Sequence, residues 1–112
     1  MELTCHCKNI VIEVYSPEQV TECNCSICSR SMALWGYYQP KEPNITIRKL
    51  GSDSYSWGDN ELDFIRCKNC GCITHYETKP DQSSPKVAIN FGLVRELVKE
   101  VPRRYFNGAG EL

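Results

Sequence analysis

The sequence predicts a small, mostly β domain, on three observations. Apolar residues recur with the two-residue period of strands, in short runs closed by turn-forming residues. Helical spacing appears in one segment, near the C-terminus. Seven of the eight cysteines fall into three short clusters, a pattern that ties loops together around metal rather than filling a deep core. The chain has 112 residues, which fits one domain, expected to span residues 1–112. Its core is shallow, because a domain of this size buries roughly two-thirds of its unfolded surface.

Taken in order, Ile10, Ile12 and Val14 alternate with Val11, Glu13 and Tyr15, which suits an extended segment, and Ser16-Pro17-Glu18 breaks it. Residues 34–38 are rich in aromatic side chains and lead into the loop Pro40-Lys41-Glu42-Pro43. Ile45-Thr46-Ile47 alternates again. Tyr55-Ser56-Trp57 and Leu62-Asp63-Phe64-Ile65 flank Gly58-Asp59-Asn60, residues that tolerate the backbone of a tight turn, so this stretch predicts a β-hairpin running straight into Cys67. Residues 73–76 and 87–91 are two further strands, separated by the loop Lys79-Pro80-Asp81-Gln82-Ser83-Ser84-Pro85. Leu93, Val94, Leu97, Val98 and Val101 have helical spacing and Pro102 closes the segment. It is about nine residues long and therefore marginal without packing. The expected architecture is a set of short antiparallel sheets with at most one short helix near the C-terminus.

Charge excludes several functions. Thirteen basic and fourteen acidic residues leave a net charge of -1, with no electrostatic footprint for nucleic acid or an anionic membrane. The basic cluster Arg103-Arg104 is only two residues long and reads as solvated surface. No apolar stretch approaches the roughly 20 residues of a membrane helix. Met1-Glu2-Leu3-Thr4-Cys5 has neither a basic nor an apolar segment, so no secretory signal is expected and a reducing, cytoplasmic setting is. Eight cysteines there read as metal ligands or redox groups rather than as a disulfide scaffold.

The clusters are Cys5-His6-Cys7, Cys23-Asn24-Cys25-Ser26-Ile27-Cys28 and Cys67-Lys68-Asn69-Cys70. Seven thiols are too many for one tetrahedral zinc and one too few for two closed sites, which predicts one enclosed metal and one with an open coordination position. A Cys-x-x-Cys turn aims both sulfurs at one ion. A Cys-x-Cys strand does the same, since residues i and i+2 share a face. Joining Cys25 and Cys28 to Cys67 and Cys70 gives a zinc ribbon, but the 38 residues of segment 29–66 are about twice the usual spacing, and Cys5, Cys7 and Cys23 are stranded. Joining Cys5 and Cys7 to Cys67 and Cys70 fills one site and leaves Cys23, Cys25 and Cys28 as a local second one. The second arrangement is preferred, because three sulfurs within six residues grip an ion with little ordering elsewhere.

These motifs, followed by Gly71-Cys72, resemble the glutathione-dependent formaldehyde-activating family, which includes centromere protein V. The likeness continues through Ala33-Leu34-Trp35-Gly36-Tyr37-Tyr38, Tyr55-Ser56-Trp57-Gly58-Asp59, Ile73-Thr74-His75 and Ala88-Ile89-Asn90. The resemblance implies a β-tent-like zinc fold and two zinc ions. Cys5, Cys7, Cys67 and Cys70 match the structural ligands, and Cys23, Cys25 and Cys28 the ligands of the catalytic ion. It implies a small thiol partner, glutathione or its aldehyde adduct, and a reaction of carbon–sulfur lyase type run backwards to S-hydroxymethylglutathione. The chain departs from the family where Lys8 and Asn9 follow the first Cys-x-Cys in place of glycine, and where Ser29-Arg30 follows Cys28 in place of two basic residues. Asn tolerates the left-handed backbone, so the first turn survives.

Three thiolates on a divalent zinc leave a net charge of about -1, a weak Lewis acid that suits a substrate thiol better than water as fourth ligand. Two readings stand for each neighbouring group. Arg30 receives a substrate carboxylate or is a surface arginine. His75 is a proton donor or fourth ligand, or a satisfied core histidine. Cys72 is a functional thiol or a small buried hydrophobe. Trp35, Tyr37, Tyr38 and Trp57 wall a pocket or fill the core. His6 reads as non-ligating. The competing functions are a non-catalytic zinc module that binds a protein partner and a redox protein using Cys25 and Cys28. The latter lacks a surrounding βαβ pattern.

Overall fold

The computed structural model describes residues 1–58, 60–80 and 83–111. Asp59 of the expected turn, Asp81 and Gln82 of the expected loop, and Leu112 lie outside the described residues. The fold is mostly β, as the alternation predicts. The strands are β1 (Glu2–Thr4), β2 (Ile10–Glu13), β3 (Val20–Cys23), β4 (Trp35–Tyr38), β5 (Asn44–Ile47), β6 (Ser52–Tyr55), β7 (Leu62–Cys67), β8 (Ile73–Thr78), β9 (Val87–Asn90) and β10 (Arg103–Phe106). Among the described residues they form a three-stranded sheet in the order β1-β2-β5 and a seven-stranded sheet in the order β10-β3-β4-β9-β8-β7-β6.

Side-chain alternation explains how the two sheets meet. Ile10 and Ile12 of β2 are fully buried while Glu13 is exposed, and Leu3 of β1 pairs with Ile12. These residues join Val20, Leu34, Ile89 and Phe91 in one core cluster drawn from both sheets. The opposite face of the large sheet carries a second cluster, with Trp35, Phe64, Tyr76 and Ala88 packed beside Cys25 and Cys28. In β9, Val87 and Ile89 enter the first cluster and Ala88 the second, so the strand is covered on both faces and all four of its residues are buried. The predicted hairpin is β6 and β7, paired with Tyr55 opposite Phe64, and Gly58 and Asn60 take positive φ in its turn.

Helical structure differs from the expectation in detail. The C-terminal segment is a 3-10 stretch (Phe91–Val98), interrupted at Val94, whose φ of -143° and ψ of 77° are not helical. The Asn90 side chain caps it, accepting from Gly92 N at 2.8 Å. One further turn of helix, α1 (Ser26–Ser31), lies inside the second cysteine cluster and is closed by Met32 at φ 52°. Six residues are too few for a periodic signal, which is why spacing does not announce it. A last short turn, α2 (Gly108–Glu111), follows β10. One pairing is parallel: β10 runs beside β3 with Phe106 opposite Cys23. No helix among the described residues is long and apolar enough to cross a membrane.

Candidate metal centres

The first Cys-x-Cys lies on the turn between β1 and β2, not on a strand. Lys8 N donates to Cys5 O at 3.1 Å, and Lys8, not Asn9, takes the left-handed conformation at φ 66°. Asn9 is instead a buried tie. Its Nδ2 donates to Gly51 O at 2.9 Å and to Cys67 Sγ at 3.5 Å, and its Oδ1 accepts from Leu50 N at 3.2 Å. The end of β7 delivers Cys67, and the turn after it delivers Cys70, whose N–H donates to Cys67 Sγ at 3.4 Å. The four sulfurs of Cys5, Cys7, Cys67 and Cys70 lie within 4.8 Å of one another. Cys7 and Cys67 are 3.5 Å apart, and Cys5 and Cys7 3.8 Å.

Electrostatics fit this set to a cation. Burial pushes the Cys5 thiol up to about 11. Burial also acts on Cys70, but the backbone N–H groups of Cys72 and Cys7 and the thiols of Cys67 and Cys5 outweigh it and bring Cys70 down to about 5. Cys67 is lowered in the same way against its burial, by backbone N–H groups at Cys70 and Asn69 and by the Asn9 amide. Backbone donors thus stabilise thiolate at Cys67 and Cys70, while burial holds a proton on Cys5. A divalent ion held by these four sulfurs would remove that conflict, since ligation requires thiolate.

The second set is Cys23, Cys25 and Cys28, whose sulfurs also lie within 4.8 Å of one another. Cys23 ends β3, Cys25 precedes α1 in an extended conformation, and Cys28 sits on the buried side of α1. Trp35 Nε1 donates to Cys28 Sγ at 3.4 Å. Burial raises the Cys28 thiol far above the ordinary range, and the neighbouring Cys25 thiol adds to it. Cys23 is raised, also chiefly by burial. Cys25 is lowered, because backbone N–H groups at Cys28 and Ile27 and the two neighbouring thiols outweigh its burial. No further His, Cys, Asp or Glu among the described residues joins the three.

This triad opens into a cavity of about 830 Å³. Trp35, Trp57, Phe64 and Tyr76 wall it, and Tyr37, Lys86 and Arg104 also line it. Trp35 and Tyr76 meet edge to face at 4.8 Å. Burial and the Tyr37 hydroxyl hold the Tyr76 phenol protonated, well above its usual range. Tyr38 does not belong to this wall. It is buried elsewhere, bonding Tyr15 O at 2.8 Å, because its position on β4 points it to the opposite face from Trp35.

The other expectations resolve by geometry. His75 is 1% exposed and satisfied, with Thr74 Oγ1 at 2.8 Å from Nδ1 and Glu77 Oε1 at 3.3 Å from Nε2; it joins neither sulfur set. Arg30 bonds Ser26 O at 2.9 Å and lines a separate cleft with Cys72 and Arg95, away from the triad. His6 is exposed and outside both sets. Sequence reasoning missed Lys86, Arg104 and Gly108. A Cβ on Gly108 would stand 2.5 Å from Cys23 Sγ, so the chain end is a wall of the triad. The only signal in the sequence was the pair Arg103-Arg104, read as solvated surface.

Comparison with known proteins agrees with this geometry. A crystal structure of a Rhodobacter sphaeroides protein superposes with a TM-score of 0.72 at 24% identity, covering 92% of this chain and 99% of that one. That likeness is one of fold. No curated protein matches the chain. The family model described as glutathione-dependent formaldehyde-activating enzyme matches residues 1–106. The chain therefore belongs to the glutathione-dependent formaldehyde-activating enzyme family.

Proposed function

We propose that the protein is a two-zinc, carbon–sulfur lyase-type enzyme that joins a small thiol such as glutathione to formaldehyde, or releases the aldehyde from the adduct. The observation that carries this reading is the difference between the two sulfur sets. Cys5, Cys7, Cys67 and Cys70 make a four-thiol donor set packed against the core, the number a closed structural zinc takes. Cys23, Cys25 and Cys28 stop at three and face an aromatic cavity, which suits a site with an open position. A zinc ion there would supply that position and hold a substrate thiol as thiolate near neutral pH.

The chain's own residues do the rest. Trp35, Trp57, Phe64 and Tyr76 exclude water from the reacting sulfur and leave room for a small aldehyde. Trp35 N–H fixes Cys28. In the forward direction the substrate sulfur bonds to the aldehyde carbon, and the carbonyl electron pair moves to oxygen, which must take a proton. That proton comes from solvent, and the Tyr37 and Tyr76 side chains line the cavity beside the oxygen. The family supports glutathione and formaldehyde as the reactants.

The test is zinc per chain by elemental analysis together with formation of S-hydroxymethylglutathione from formaldehyde and glutathione. Two zincs per chain and product formation faster than the uncatalysed reaction of the two reagents are expected, with Cys28→Ser losing both the second zinc and the rate gain. One zinc and no product would point instead to a non-catalytic zinc module.

A further inference from the structure

We propose that Arg104 and Lys86 form a carboxylate-receiving rim on the triad cavity, so that the site selects thiols bearing carboxylates over neutral ones. The proposal rests on the thiol-binding reading above and deepens it by naming the charge class of the thiol.

Both cations reach the cavity from segments far apart in the chain, and no acidic side chain stands among its described lining residues. Alternation along β10 separates the two arginines. Arg103 turns to Glu22, with Nη1 3.3 Å from the carboxylate. Arg104 turns the other way, its Nε donating to the buried Thr21 Oγ1 at 3.3 Å and its guanidinium 5.4 Å from the Phe106 ring centroid. Thr21 and Phe106 hold the stem and one donor. The guanidinium keeps a fork of N–H donors suited to a planar carboxylate. Lys86 Nζ stands 4.9 Å over the Tyr37 ring, a seat that positions the ammonium without neutralising it.

The charge balance of the site calls for such a rim. Three thiolates on a divalent ion carry about -1, and a substrate thiolate makes it about -2. An acidic thiol would be repelled unless cations offset that charge nearby. The hydrophobic walls supply none, and Arg30 faces the other cleft.

The experiment compares binding of glutathione, glutathione dimethyl ester and 2-mercaptoethanol to the zinc-loaded protein by calorimetry, in low and high salt. The ester keeps the thiol and loses both carboxylate charges. Glutathione is expected to bind about tenfold or more tightly than the ester, the size of one charged hydrogen bond in a half-open site, and to lose that advantage in high salt. Arg104→Gln and Lys86→Gln should each weaken glutathione by about tenfold and leave the ester and 2-mercaptoethanol unchanged. Equal binding of glutathione and ester by the parent overturns the rim and leaves the thiol-binding reading standing. A variant that loses all three thiols alike overturns the assignment of that residue to carboxylate recognition. Binding of none of the three by the parent overturns both.

Discussion

Gly108 lies against Cys23 so closely that a Cβ on it would stand 2.5 Å from the Cys23 sulfur and 3.2 Å from Cys25 Cβ. The end of the chain therefore forms part of the triad site, although Cys23 and Gly108 are separated by most of the sequence. Asn24 holds this end in place. Its Nδ2 donates to Asn107 Oδ1 at 2.9 Å and its Oδ1 accepts from Ala109 N at 2.9 Å. Gly108→Ala must displace either the sulfur or the chain end, at a local cost of about 1–3 kcal/mol. The expected result is loss of the triad's metal to a chelator at about tenfold lower concentration, with the metal of the four-cysteine set unaffected. Unchanged retention of both ions would show that the chain end yields freely.

Under the two-zinc reading proposed above, the two sites should differ in what they support. Structural zinc is worth about 10–16 kcal/mol in peptides that fold around it, comparable to the whole stability of a domain of this size. Cys67 is 1% exposed and accepts hydrogen bonds from Asn9 and from Cys70 N, so Cys67→Ser breaks a site on which the β1–β2 turn and the end of β7 converge. It should abolish cooperative unfolding at room temperature. Cys28→Ser should keep the fold, with a melting temperature within several degrees of the parent, and lose the triad's metal and its chemistry. If both variants melt like the parent, the division of roles is wrong.

Acid should empty the triad before the four-cysteine set. Ligation requires thiolate, so metal is lost as falling pH lets protons compete. In the triad, burial raises Cys28 and Cys23 and only Cys25 is lowered. In the four-cysteine set Cys67 is lowered and Cys70 lies at about 5, against Cys5 at about 11. A raised thiol gives up its ion at higher pH, because protonation begins sooner on acidification. Zinc released during an acid titration, followed with a chromogenic chelator, should appear in two steps, the first absent from Cys28→Ser. A single step of two ions would contradict this ordering.

What the sequence reveals about the site is what lies within a few residues. Cys23, Cys25 and Cys28 are legible as one set because a strand end and one helical turn bring them together with no help from the rest of the chain. Setting those three aside as a local set, together with the long spacing that a ribbon would need, left Cys5 and Cys7 to join Cys67 and Cys70. Arg104 and Gly108 were not legible, because they depend on the parallel register of β10 on β3, a pairing more than 80 residues apart that no local periodicity encodes. Which of its two readings holds for Tyr38 was not legible for a related reason. Two aromatics three positions apart on a strand face opposite sides, and the face that holds the cavity is known only once the sheet is assembled.

Lys8 is a position where the chain accepts strain. A non-glycine residue in the left-handed region costs about 1 kcal/mol, and Lys8 sits at φ 66° with an exposed side chain. Lys8→Gly relieves that cost but loses more entropy on folding, so a net gain of about 0–1 kcal/mol is expected. Lys8→Val, with a branched Cβ, should lose about 1 kcal/mol or more. Urea midpoints of the metal-loaded protein give both numbers. A loss on Lys8→Gly would mean that the lysine side chain contributes more than its backbone costs.

Trp35 tests whether the cavity wall tunes the triad or merely encloses it. Its indole N–H donates to Cys28 Sγ, and its ring packs on Tyr76 at 4.8 Å and Phe64 at 6.0 Å. Trp35→Phe keeps much of the packing and removes the donor. Lost packing costs stability with or without metal in the triad. The lost N–H acts only where Cys28 carries charge, because a hydrogen bond to a charged group is worth about 1.5–3 kcal/mol and a bond to a neutral thiol much less. The donor lowers Cys28 against its burial, so without it the thiol rises further and metal release in acid begins at higher pH. The expected outcome is a triad affinity for zinc about tenfold weaker or more, and a release step displaced upward in pH, beyond any change in melting of Cys28→Ser carrying the same substitution. If the substitution lowers melting equally in both backgrounds and leaves affinity and release pH unchanged, Trp35 is a packing residue and the charge on Cys28 is balanced by other groups.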